Sequence, residues 1–350
     1  MKGITVIALF ALVAIGGPAH AVRADPNPPV VVDEETRLRK IEQQIRALQA
    51  ETVNLRFENQ RLRAEAHNLL AINEHVSLVE LHGYPTVRFS AVNLQVVNGT
   101  GSTENFNGTG NLLIGYNRLR KDNDRFSYEE ECSLGSAPDE SLILTREECE
   151  AANATWKLDH KNGSHYLVIG DDQNYTRWSG IVSGLGSTSN SPWASVTGGY
   201  HNQAVGVGAS VSGGAFGLAA GGLSTVGGGI YNAATGSYAT VSGGSRGLAS
   251  GTTSTVSGGL ANEASGISSV VSGGRENLAT GEVTSISGGT LNIASGHWSS
   301  ISGGSLGKAI GYSSSVSGGN FNTASGDRSS VSGGGYRTAD KTDGWAGGEY

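Results

Sequence analysis

From residue 33 to residue 80, apolar and small residues recur at alternating spacings of three and four. Leu38, Ile41, Ile45, Leu48, Thr52, Leu55, Asn59, Leu62, Ala66, Leu69, Asn73 and Val76 hold this rhythm over six heptads, with Leu38 at the first a position. The residues between them are mostly Arg, Glu, Gln and Asn. A strict a/d stripe is too narrow to pack on a globular domain, so the pattern predicts a parallel α-helical coiled coil. Glu51 and Arg56, and Glu58 and Arg63, fall at g and the following e, where parallel chains exchange ion pairs. Asn59 and Asn73 at a positions cost stability but fix register. Gly83-Tyr84-Pro85 predicts the end of the helix. Beyond it Val87, Phe89 and Ala91 alternate, then Val92, Leu94 and Val96 on the other parity, predicting strand over Thr86–Val97 and a β neck with a first coil over 84–117. Asn111–Gly115 and Tyr166–Gly170 look like one element occurring twice. The polar stretch 118–163 between them reads as an insertion, with a short helix at Thr145–Ala152.

Roll repeats are expected over 164–342, and the pattern becomes periodic from Ser195: ten copies of 15 residues with no insertion. Position 2 is always Val or Ile, positions 4 and 5 are always Gly-Gly, and position 10 is always Ala. Position 12 is Gly except for Lys341 in the last copy. Glycines at fixed offsets mark turns needing positive φ or close backbone approach. The segments between them are long enough only for short strands, so each copy is one coil of a parallel β-solenoid. A flexible Gly/Ser linker has no reason to keep Val and Ala in phase. The expected interior comprises Val196, Ala204, Val211, Val241, Val256, Ala264, Ile286, Ala294, Val316 and Ala324. One β-branched residue and one alanine per coil make a thin core against the entropy of ordering 15 residues. Several rolls around one axis would bury a second face. Coiled coil and roll therefore both predict a parallel homo-oligomer, three chains fitting best.

The repeat Ser-Ser-Val-Ser-Gly-Gly-x-x-Asn-x-Ala-Ser-Gly resembles the head repeat of YadA-type trimeric autotransporter adhesins. The resemblance covers 110–115 and about 165–340. It implies an all-β, left-handed parallel β-roll, a homotrimer, and adhesion to matrix, glycan or cell surfaces. Two departures stand out: the repeat is about one residue longer than the family's, and the coiled coil precedes the roll with no C-terminal membrane anchor following it. Residues 343–350 are expected to cap the roll.

Composition narrows the function further. The net charge of −7 argues against a nucleic-acid partner, which needs a basic stripe. Residues 1–21 read as a signal peptide: Lys2, an apolar run from Ile4 to Ile15, and the cleavage motif Ala19-His20-Ala21. A Pro-rich linker follows at 22–32. The apolar run is too short to span a bilayer, and no later stretch is long enough for a transmembrane helix once the signal is cleaved. The chain is thus expected outside the cell or on its surface, the periplasm being the alternative. In that setting the pair Cys132 and Cys149 is expected to form a disulfide bracing the insertion. No serine-hydrolase, zinc-protease or P-loop motif occurs, and no cofactor, metal site or catalytic residue is expected. Asp171-Asp172 is a candidate cation site, with a solvated turn as the competing reading. Position 7 carries aromatic and charged residues, among them Phe216, Tyr231, Arg246, Phe321 and Tyr336. Such a column suits stacking on sugars or a protein partner, or packing between chains. Three functions compete: an adhesin, a passive spacer or tail-fibre-like structural protein, and a polysaccharide-degrading enzyme. The carboxylates Glu263, Glu276, Glu282, Asp327 and Asp340 are too sparse along the array to favour the enzyme.

Overall fold

The computed structural model describes residues 33–104, 107–120, 131–132, 145–151 and 156–347. The signal peptide, the linker, most of the insertion and residues 348–350 lie outside the described residues. The chain forms two compact units, Met1–Asn93 and Leu94–Tyr350.

In the first unit, helix α1 spans Glu34–Asn73. Asp33 caps it by accepting a hydrogen bond from the Glu35 N–H at 3.3 Å. Glu34 and Glu35 in its first turn complement the helix dipole. At about 1.5 Å per residue the helix is about 60 Å long. Its a and d side chains from Leu38 to Ala66 are uncovered: Leu38 and Leu48 are 58% and 61% exposed. The helix ends earlier than the heptads predict. Val76–Leu81 (β1) pairs antiparallel with Tyr84–Phe89 (β2), so Val76 faces Phe89 across a ladder instead of filling a d position. The two-residue turn, His82 (φ 53) and Gly83 (φ 83), has the positive dihedrals a tight hairpin demands. The strand expected over Thr86–Val97 therefore runs from Tyr84 to Phe89 only, and residues 91–97 have no regular structure.

The second unit is a parallel β-solenoid of about 12 turns, with sheets of 14 and 12 strands. Leu112–Ile114 (β3) opens the first sheet and pairs with Ser164–Asp171 (β6), Leu113 opposite Val168. Between them, Glu131–Cys132 (β4) pairs antiparallel with Trp156–Lys157 (β5), and Arg146–Ala151 forms the short helix α2. Asn174–Tyr175 (β7) opens the second sheet; Trp178–Leu185 (β8) and Thr188–Ser189 (β9) complete the next coil. Asn174 lies opposite Thr188, and Ile181 opposite Ser195, so the leading coils are one residue shorter than the later ones. From Ser195 onward positions 1–2 of each coil join the first sheet and positions 9–10 the second, as in Ser195 opposite Ser210 and Gln203 opposite Leu218. Trp345–Ala346 continues the first sheet beside Ser330–Val331, where a cap was expected.

The position-2 and position-10 side chains form one continuous buried column from Val196 and Ala204 to Val331 and Ala339. In the leading coils Tyr166, Val168, Tyr175 and Val182 fill the interior instead. Position 8 adds a polar ladder. The Asn262 side chain donates to the Gly258 and Gly274 carbonyls at 2.7 and 3.1 Å and accepts from the Asn277 N–H at 3.0 Å. The same three bonds recur at Asn202, Asn232, Asn277, Asn292 and Asn322. Each amide thus joins one coil to the next where a purely apolar core would leave backbone groups unsatisfied.

The glycines divide by cause. At position 5 the backbone is left-handed, as at Gly259 (φ 87). At position 12 it is not; there a Cβ would collide with the next coil, as between Gly281 and the Gly296 carbonyl oxygen at 2.7 Å. Two further left-handed positions carry ordinary side chains: position 7, as at Tyr231 (φ 57), and position 14, as at Trp298 (φ 63).

Candidate functional site

Because Asn232 and Ala234 at positions 8 and 10 are buried, positions 7 and 9 stand together on the outer face of the second sheet. Position 7 supplies Phe216, Tyr231, Leu291, Leu306, Phe321 and Tyr336. Position 9 adds Leu218, Leu248, Leu278 and Ile293, all half-buried in one chain. This second column is absent from the sequence reading. The alternation outward from each buried Asn and Ala is the signal that finds it.

The position-7 rings are ordered by the coil pitch. Phe216 and Tyr231 stack with centroids 4.7 Å apart and planes 8° apart; Phe321 and Tyr336 stack at 4.8 Å and 6°. Tyr200 and His201 extend the first stack, with His201 5.5 Å from Phe216. Burial, and then the charge of Arg120, lowers the His201 pKa to about 4, so the ring is neutral at ordinary pH. Stacked at this spacing, the rings cover one another's faces and present edges. A sugar stacks on a ring face, so the geometry suits packing against another apolar surface better than a row of sugar platforms. Arg246 stands exposed between the two stacks.

The first sheet's outer face is different. Its position-3 residues, such as Ser242, Ser257 and Ser272, are small, polar and exposed. A separate patch lies on the ridge of positions 13 and 14, where exposed Trp298 and Tyr312 stack at 6.4 Å. Glu282 sits 3.3 Å from His297 beside it, and Asp327 accepts the Tyr312 N–H at 3.1 Å.

The remaining candidates are structural. Asp171 accepts from both the backbone N–H and the guanidinium Nε of Arg118 at 2.7 Å, and this pair holds its carboxyl below the usual range. That carboxylate is already neutralised, so the cation reading of Asp171-Asp172 gives way to an ion-paired turn. Arg120 is buried and donates to the carbonyls of Asp172, Gly186 and Ser187 at 2.9–3.0 Å, tying the return of the chain to the leading coils. Cys149 lies buried on α2 and Cys132 on β4; the side chain of Cys132 is outside the described residues. Among the described residues no three His, Cys, Asp or Glu gather into a metal-binding group, and no helix is long and apolar enough to cross a membrane. No protein-family model matches the chain, and no curated protein is significantly similar to it in sequence.

Proposed function

We propose that this is an exported, non-catalytic, adhesin-like structural protein that works as a parallel homotrimer, its rolls left-handed like those of YadA-type heads. The observation that carries the proposal is two uncovered apolar surfaces on one chain: the Leu/Ile stripe of α1 and the position-7/9 face of the solenoid. Each is too extensive to suit an isolated soluble chain. A heptad stripe is covered by parallel copies of itself. Three rolls meeting through Leu248, Leu278 and their neighbours would double a core that one chain builds, in its periodic coils, from Val, Ile and Ala. Contact with matrix, glycan or cell surface then falls to groups left outside that interface, Arg246 and the Trp298–Tyr312 patch among them. A Cys132–Cys149 bond would brace the insertion, contributing about 3 kcal/mol through chain entropy.

A second reading, a passive spacer, is favoured by the small polar coat of the first sheet. The two part in a binding assay. Beads carrying the mature protein should attach to collagen-, laminin- or mucin-coated surfaces, and Trp298→Ser with Tyr312→Ser should weaken attachment at least threefold without changing the mass in solution. Oligomeric protein that attaches to none of the three surfaces would favour the spacer.

A further inference from the structure

Coils one to nine of the 15-residue array carry Gly at position 12, and the reason is overhead. A Cβ on Gly311 would strike the Gly326 carbonyl, and one on Gly326 would strike the backbone of Lys341, whose nitrogen lies 2.9 Å away. The backbone of each coil rests directly on position 12 of the coil before it. Coil ten has Lys341 there, and Lys341 is exposed where Gly311 and Gly326 are buried. Position 8 repeats the pattern. Coils one to nine hold Asn or Gly. Asn292 and Asn322 are 0% exposed under the coil that follows. Coil ten holds Arg337, which is half-buried, and among the described residues no further coil lies over it. Its guanidinium has no acceptor for a following N–H and is far larger than any side chain the roofed positions contain.

We propose that Lys341 and Arg337 make coil ten a stop. Trp345–Ala346 lies on the first-sheet strand of coil ten, but whatever chain follows it, the rest of a further coil cannot be laid over Arg337 and Lys341, and a second copy cannot continue the two sheets end to end. Thr338–Ala339 and Trp345–Ala346 are the edge strands the stop protects. An open parallel edge would otherwise template another chain, and charged side chains are a common way to blunt it. Coil ten is itself held down. Arg328 donates to both carboxylate oxygens of Asp343 at 2.7 and 2.8 Å, and Trp345 Nε1 donates to Ser332 Oγ at 2.7 Å. The device sits in the solenoid alone and is independent of any oligomer.

The test adds a coil to the full chain. A copy of the Ser315–Ser329 sequence, marked by a Ser→Thr exchange at its exposed third position, is inserted after Gly344. One version keeps Lys341 and Arg337; another carries Lys341→Gly and Arg337→Asn; a third carries Lys341→Gly alone. Amide hydrogen exchange is followed by mass spectrometry. The inserted coil should be protected at least about 100-fold in the double variant, less in the single variant, and not at all in the native background. Protection in the native background would overturn the proposal. So would an unprotected insert in every background, because two other side chains would then be stopping the array. The double variant without the insert should melt within about 3 °C of the native chain, which separates loss of the stop from loss of the fold.

Discussion

Removing one amide from the position-8 ladder should cost several kilocalories and do so locally. In Asn262→Ala three hydrogen bonds go: two to the Gly258 and Gly274 carbonyls and one from the Asn277 N–H. Asn262 is 1% exposed, so water cannot readily replace them. At about 1 kcal/mol net per bond the loss is about 3 kcal/mol per chain. For an array of this size that is a fall of about 6–12 °C in melting temperature. Gly217, Gly247 and Gly307 occupy the same position in other coils, so the array should still fold. Asn262→Asp keeps the acceptor but turns a carboxylate toward two carbonyl oxygens, and should be worse at neutral pH. Burial raises such a carboxyl above its unfolded value, so the penalty is full above the folded pKa and disappears as pH falls below the unfolded one. Thermal unfolding by circular dichroism at pH 7 and pH 4 measures both effects. An Asn262→Asp protein melting within 2 °C of native at pH 7 would refute the amide ladder as a source of stability.

Other outcomes follow from the same geometry. Ala264 is fully buried between Ala249 and Ala279, so Ala264→Leu should overpack the column by about 1–3 kcal/mol; Glu263→Leu, in register with Leu248 and Leu278, should be neutral or stabilising in a melt. Gly259→Ala places a Cβ at φ 87 beneath the next coil and should abolish the native melting transition, while Ala261→Gly at φ 52 relieves left-handed strain and should raise stability by up to about 1 kcal/mol in urea titration. His201 has a folded pKa of about 4 against an ordinary 6.5, so the folded state binds fewer protons between those values. Stability should therefore be flat above pH 6.5 and decline toward pH 4, and His201→Phe should remove that part of the decline in melts across the range.

The periodic part of the fold was legible because each coil repeats the same physical demands. Val or Ile at position 2 and Ala at position 10 recur wherever the two sheets face each other, and the coil length is read directly. The causes behind the glycines were less legible. Invariance marks position 12 without distinguishing positive φ from a carbonyl overhead, and only coordinates separate the two. The left-handed backbone at Tyr231 and Trp298 has no sequence signature, since neither is a residue type that favours it. The helix end is hidden in the sequence because Asn73 and Val76 satisfy heptad spacing formally. Val76 and Val79 gain more by pairing with Phe89 and Thr86, a cross-strand term that a one-dimensional pattern does not contain. In the leading coils Tyr166 and Tyr175 replace small residues and hide the repeat. On the surface, position 7 is visible from its rings, whereas Glu263 and Lys308 interrupt the leucines of position 9 and hide that column.

In the proposed trimer both apolar surfaces of one chain are covered by two further copies. Light scattering of the mature protein as it elutes from a sizing column tests it most directly. The account predicts a single species of three times the chain mass at micromolar concentration. Leu48→Asp together with Leu278→Asp, which charges the α1 stripe and the solenoid face, should shift it to the monomer mass. A native protein that elutes as a monomer would contradict the account.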